Sequence, residues 1–112
     1  MQIDVITIFP GMLDGFLGES MMKRATKLGA VNFRAINLRD FTFDRHRTTD
    51  DRPFGGGPGM VMKPEPLFLA VESVQTPASK VILMSPSGPT FNQAKALDLS
   101  REQHLVFICG HY

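Results

Sequence analysis

Short apolar runs alternate with segments of helical spacing along this chain, which predicts strands separated by helices. Val5-Ile6-Thr7-Ile8-Phe9 is β-branched and aromatic and is closed by Pro10-Gly11, so it predicts a buried strand with a turn behind it. From Met12 to Lys27 the residues Leu13, Phe16, Leu17, Met21, Met22 and Ala25 recur at helical spacing. Gly15 and Gly18 interrupt them, and Ser20 is placed to cap a second helix that stops at Gly29. Val31 to Leu38 alternates, setting Val31, Phe33, Ala35 and Leu38 against Asn32, Arg34 and Asn37, as a strand does. Pro64 to Gln75 reads as a helix, with Pro64 and Pro66 in its first turn and Leu67, Ala70, Val71 and Val74 on one face. Val81 to Met84 predicts a buried strand, Asn92 to Leu99 a short helix, and Leu105 to Cys109 a last buried strand.

Residues 39–63 show no sustained period, and a structureless stretch of that length inside a small domain is usually functional or disordered. The remaining pattern, near-continuous apolar strands separated by helices, argues an α/β fold: a parallel sheet with helices on both faces. In such sheets ligands bind beyond the carboxyl ends of the strands. Two strands end in loop chemistry of that kind, Met84 into Ser85-Pro86-Ser87-Gly88 and Cys109 into Gly110-His111-Tyr112.

Composition narrows the classes. At 112 residues the chain holds one core, and its formal charge of +1 gives no global field for a polyanion, so any nucleic-acid site is a local patch. The lone Cys109 forms no internal disulfide, and its apolar strand makes it an inert core thiol; Cys109, His46, His104 and His111 show no zinc spacing, so no metal is expected. The opening Met1-Gln2-Ile3-Asp4 lacks the basic start of a signal peptide, and no apolar run reaches the ~18 residues of a membrane span. The expectation is a cytoplasmic protein.

Three constellations carry candidate chemistry. Gly55-Gly56-Gly57-Pro58-Gly59-Met60 lets backbone amides approach a ligand closely, yet it fits neither a dinucleotide fingerprint nor a P-loop, and a tightly folded connection explains it equally. Between Arg39 and Arg52, the arginines 39, 45, 47 and 52 and His46 are interleaved with Phe41 and Phe43, a mixture suited to phosphates and unpaired bases. The aspartates 40, 44, 50 and 51 cancel that charge, and a solvated ion-pair loop is the plainer reading. The Ser85–Gly88 and Gly110–Tyr112 loops line one pocket if their strands are neighbours; otherwise they are ordinary turns.

Five segments together resemble one family: Ile3–Pro10, Asn37–Thr42, Asp50–Met60, Ser85–Gly88 and Cys109–Tyr112. They span the chain in the order and spacing of the bacterial tRNA (guanine-N1-)-methyltransferases, the TrmD type of the SPOUT methyltransferases. The resemblance implies methyl transfer from S-adenosylmethionine to N1 of the guanosine 3′ of the tRNA anticodon. It implies a homodimer, with tRNA as partner and no role for DNA or a membrane, and a trefoil knot that holds the cofactor. It places Met84, Ser85, Pro86, Gly88, Gly110 and Tyr112 in the cofactor pocket, and Arg45, His46, Arg47, Arg52 and Gly59 toward the RNA. Members of that family are about twice as long; residues 1–112 are then one partial SPOUT domain with the knot incomplete and the C-terminal RNA-binding domain absent. The catalytic carboxylate and charge-stabilising arginine belong to the other half, so no catalytic residue is assigned within this chain. The alternatives are a non-catalytic dimerisation or tRNA-binding module, and a generic nucleotide-binding α/β domain.

Overall fold

The computed structural model describes residues 1–53 and 55–110. In chain order the elements are β1 (Gln2–Thr7), α1 (Asp14–Leu17), α2 (Ser20–Lys27), β2 (Asn32–Asn37), β3 (Asp50–Asp51), β4 (Val61–Met62), α3 (Pro64–Val74), β5 (Ser79–Met84), α4 (Gln93–Leu99) and β6 (His104–Cys109). Short 3₁₀ turns occupy Pro10–Leu13 and Leu38–Phe41. The four long strands form a parallel sheet in the order β2-β1-β6-β5, and β3 and β4 form a small antiparallel ladder.

Register sets the faces. Asp4, Arg34, Val106 and Val81 lie abreast, as do Ile6, Ile36, Ile108 and Leu83, and strand alternation puts both rows on one face. There α3 closes the core. Ile6, Val106, Leu38 and Ala70 are fully buried, and Ile8, Ile108 and Val74 nearly so. Each large aliphatic side chain removed from water in this way contributes roughly 2 kcal/mol. The opposite face is more thinly covered: Leu105 is buried, Val5, Ile82 and Phe107 are half-buried, and Ala35 and Met84 are exposed. The expected parallel sheet with flanking helices is present, with its densest packing under α3.

A polar chain crosses all four strands near their amino ends. Asn32 donates to Gln2 (2.7 Å), which donates to Asp4 (3.0 Å). Arg34 grips the same carboxylate through Nε and Nη2 at 2.6 and 2.9 Å. His104 Nε2 lies 2.6 Å from Asp4 Oδ2, its Nδ1 lies 2.6 Å from Ser79 Oγ, and the Thr76 amide donates to that hydroxyl (2.7 Å). With Nε2–H donating to Asp4, Nδ1 accepts from Ser79 and every member has a partner.

Several expectations change. The first strand begins at Gln2 and ends at Thr7, leaving Phe9 outside it and 46% exposed, because Gln2 and Asp4 join the polar chain that a hydropathy pattern cannot register. In β2 the core-facing residue is Ile36, on the parity of Arg34, while Ala35 is exposed. The run Val81–Met84 is an edge rather than a buried strand: Val81, Leu83 and Met84 are 39%, 63% and 54% exposed, since nothing pairs beyond β5 among the described residues. Ser20 is the first residue of α2, whose N-cap is Glu19 without a side-chain cap; the helix does stop before Gly29, at φ +74°. Cys109 is half-buried, and burial pushes its thiol pKa up, so it is a poor nucleophile. Among the described residues no helix is long and apolar enough to cross a membrane, and no His, Cys, Asp and Glu side chains group as a metal site would.

Candidate functional site at the carboxyl edge of the sheet

The parallel pairing of β5 with β6 sets Met84 opposite Cys109. The two strand-end segments, Ser85–Gly88 and Gly110, therefore leave the same sheet edge side by side. In the first segment the Ser85 and Ser87 hydroxyls lie 2.9 Å apart, and the Ser87 amide donates back to Ser85 Oγ (3.2 Å). That ST-turn, with Pro86 at its corner, holds the segment in one shape while the hydroxyls stay exposed. A Cβ at Gly88 meets only ordinary contact, Ser85 O at 3.9 Å. A Cβ added at Gly110 would meet Met62 Sδ at 3.4 Å, which sets the end of β6 beside β4.

That proximity of Met62 sets the 39–63 region beside the edge. Instead of a structureless loop, the region is a braced one. Asn37 Oδ1 caps the 3₁₀ turn by accepting from the Arg39 amide (3.0 Å), and Thr42 Oγ1 donates to Arg39 O (2.6 Å). Arg39 and Arg47 each donate a side-chain hydrogen bond to the other's carbonyl at 3.3 Å, and Arg47 pairs with Asp40. Asp44 accepts from both the Thr48 hydroxyl and the Thr48 amide, which lowers its carboxyl pKa. Thr49 is buried, and its carbonyl receives the Lys63 amide (2.8 Å) as the β3–β4 ladder begins. Gly55, Gly56, Gly57 and Gly59 all take positive φ, in open space, so backbone conformation rather than crowding asks for glycine there.

The candidate RNA-facing residues separate into two kinds. Arg45 and His46 stand exposed at the tip of the turn, and Arg52 is exposed just after β3, its amide held by Asp51 (2.8 Å). Arg47 is a brace instead, with φ +51° and its guanidinium engaged by Arg39 and Asp40. Gly59 (φ +81°) lies in the exposed glycine turn between β3 and β4. Phe54, His111 and Tyr112 lie outside the described residues, and with them one of the six candidate cofactor residues.

Three features escaped the sequence. A cleft of about 200 Å³ opens between the braced loop and the start of α3, with Phe41, Phe43, Asp44, Lys63 and Glu65 in its lining. The alternation of Phe41 and Phe43 hinted at it, but nothing in the sequence placed Lys63 beside them. A second, apolar cleft of about 380 Å³ lies between α3 and β5. The Asp4–His104–Ser79 chain left no trace beyond polar residues inside strands.

The family model for tRNA (Guanine-1)-methyltransferase TrmD matches residues 1–112. The tRNA (guanine-N(1)-)-methyltransferase of Geobacillus kaustophilus is 51% identical over 114 aligned residues, covering all of this chain and 47% of that protein. Its counterpart in Fusobacterium nucleatum is 55% identical over 112 residues, all of this chain and 46% of that protein. In Bacillus subtilis the figures are 47% over 115 residues, all of this chain and 47% of that protein. The chain spans a little under half the length of these relatives. With a match along its whole length, the chain belongs to the tRNA (guanine-1)-methyltransferase (TrmD) family.

Proposed function

We propose that residues 1–112 form part of a tRNA (guanine-N1-)-methyltransferase: the frame that receives S-adenosylmethionine and presents a face to tRNA, within a homodimer and a SPOUT knot. The observation that carries the reading is the pairing of Met84 with Cys109, which brings Ser85, Pro86 and Gly88 beside Gly110 at one sheet edge. The chemistry of that edge suits an adenosine-bearing ligand. Exposed, uncharged serine hydroxyls match ribose or adenine better than a phosphate or a metal, and Gly110 leaves room that a Cβ against Met62 would fill. Met84 and, by the resemblance, Tyr112 would add apolar cover.

The cofactor bound there supplies an electrophilic methyl group. N1 of guanine carries a proton at neutral pH, so a base must take it while positive charge steadies O6. No residue among 1–112 is assigned either task. What these residues do is hold the cofactor's nucleoside end in one place and offer Arg45, His46 and Arg52 to the RNA, with the Gly59 turn between. Arg47 acts through the loop it braces.

Titration of the chain with S-adenosylhomocysteine by calorimetry tests the reading. Binding is expected, weakened at least about tenfold in Gly110→Val, where a branched side chain fills the space at the strand end beside Met62; that ratio corresponds to ~1.4 kcal/mol. Gly11→Ala, with nothing within 4 Å of its Cβ, is the neutral control. Absence of cofactor binding together with retention of tRNA would instead establish the second reading, a non-catalytic tRNA-binding module, which the braced loop around Arg45 and His46 favours.

A further inference from the structure

We propose that the cleft between the braced loop and the start of α3 is a stacking subsite for one unpaired RNA nucleotide, with Phe43 as its platform. The inference rests on the tRNA reading above and adds the position and chemistry of a contact.

Phe43 is 89% exposed, more than any other large apolar side chain described. Its segment is nevertheless rigidly organised: the reciprocal Arg39–Arg47 bonds, the Arg47–Asp40 pair and the Asp44–Thr48 bonds fix the turn on both sides of it. The braced backbone holds the ring's point of attachment in water, so a partner that covers the ring need order little of the loop. Phe41, half-buried, forms the floor of the same cleft.

The surroundings define the partner. Lys63 lines the cleft, and Arg45 and His46, exposed at the next turn, have no hydrogen bond or ion pair among the described residues. A ring flanked by cations suits a nucleotide, the base on the ring and the phosphate toward the cations. Asp44 and Glu65 in the same lining offer acceptors to the amino groups of a base edge. A protein partner would ask for a deeper and more apolar recess than this mixed lining of about 200 Å³. A duplex would keep its bases stacked on one another, so the nucleotide must be unpaired.

The test is binding of the chain to a fluorescently labelled tRNA anticodon stem-loop, followed by anisotropy across a salt series. Phe43→Ala is expected to weaken binding about 5- to 100-fold, the loss of one base–aromatic stack. Phe43→Tyr should retain binding. Phe43→Leu, similar in area but without a π face, should not. The slope of log affinity against log salt should stay unchanged in these variants, whereas Arg45→Ala should flatten it by about 0.7, one phosphate contact to a single strand. Because Phe43 is almost wholly exposed, thermal melts of its variants should overlay the parent chain. Equal affinity for Phe43→Ala, or full rescue by Phe43→Leu, overturns the subsite and leaves the tRNA reading standing. Failure of the unsubstituted chain to retain the stem-loop overturns both.

Discussion

A carboxylate with no solvent exposure in the middle of a sheet is tolerable only where its charge is met, and Asp4 is met from three sides, by Arg34, His104 and Gln2. Burial pushes its pKa up, and the hydrogen bonds from Arg34, His104 and Gln2 more than reverse that, so the folded value lies below 3.8. Asp4→Asn keeps the volume, removes the charge and points an amide N–H₂ at donors. It should cost about 3 kcal/mol, toward the low end for breaking a buried ion pair, since the Arg34 side chain is 53% exposed. Because the folded pKa is the depressed one, the stabilisation is fully present above the unfolded value and is lost as pH falls through the folded value. Urea midpoints followed from neutral pH down past 3.8 should therefore show an acid limb in the parent chain that is shallower in Asp4→Asn. Parallel acid limbs in the two proteins would show that Asp4 contributes no such linkage.

The β3–β4 ladder is only two residues long on each side, and its closure depends on a glycine turn whose backbone other residues resist. Gly57 sits at φ +114°, outside even the left-handed helical region, with nothing within 4 Å of its Cβ. Gly57→Ala is thus a conformational penalty without a clash, of about 1.4 kcal/mol or more. It should speed hydrogen exchange of the Lys63 amide, which bonds to Thr49 O, about tenfold while amides of β1 and β6 keep their protection. Unchanged exchange at Lys63 would show that the turn does not hold the ladder. This small hairpin was illegible in advance because Asp50-Asp51 carries no strand signal; its pairing is bought by the turn and by buried Thr49. Elsewhere legibility followed hydropathy. Leu105–Cys109 and Pro64–Val74 emerge nearly where the pattern puts them, because their apolar spacing and their burial coincide. The short helix expected over Asn92 to Leu99 is present as Gln93–Leu99, with Asn92 standing just before it as a cap that accepts from the Lys95 amide. The same pattern misassigned β2, where Arg34 takes an inward row to meet Asp4, and β5, whose apolar side chains mark a strand without marking what covers it. For the candidate site, the two strand-end loops were readable, but their adjacency required the β5–β6 pairing, which no local pattern encodes.

Taken as a whole, the sheet is asymmetric, with a dense core at β1 and β6 and an open flank at β5. The cleft of about 380 Å³ between α3 and β5 is lined by Leu67, Phe68, Val71, Val81 and Ile108, and Phe68 and Leu83 are 68% and 63% exposed. Contiguous apolar surface of this kind binds hydrophobic dyes without any loss of native packing. The chain should therefore enhance the fluorescence of anilinonaphthalene sulfonate while still melting in one sharp transition. Those two observations together separate a native apolar cleft from a molten state, which binds the dye but has lost its cooperative melt. Replacing Val81 and Leu83 together by serine should abolish most of the enhancement, because both sit on the face that bounds the cleft. Stability should fall by no more than about 1 kcal/mol, since both side chains already contact water and little further area is lost. Dye binding that survives the double substitution would move the exposed surface to another part of the molecule. Loss of the dye signal with an unchanged melt would fix it at the β5 flank, on the same strand whose end carries Met84 and Ser85 into the proposed cofactor site.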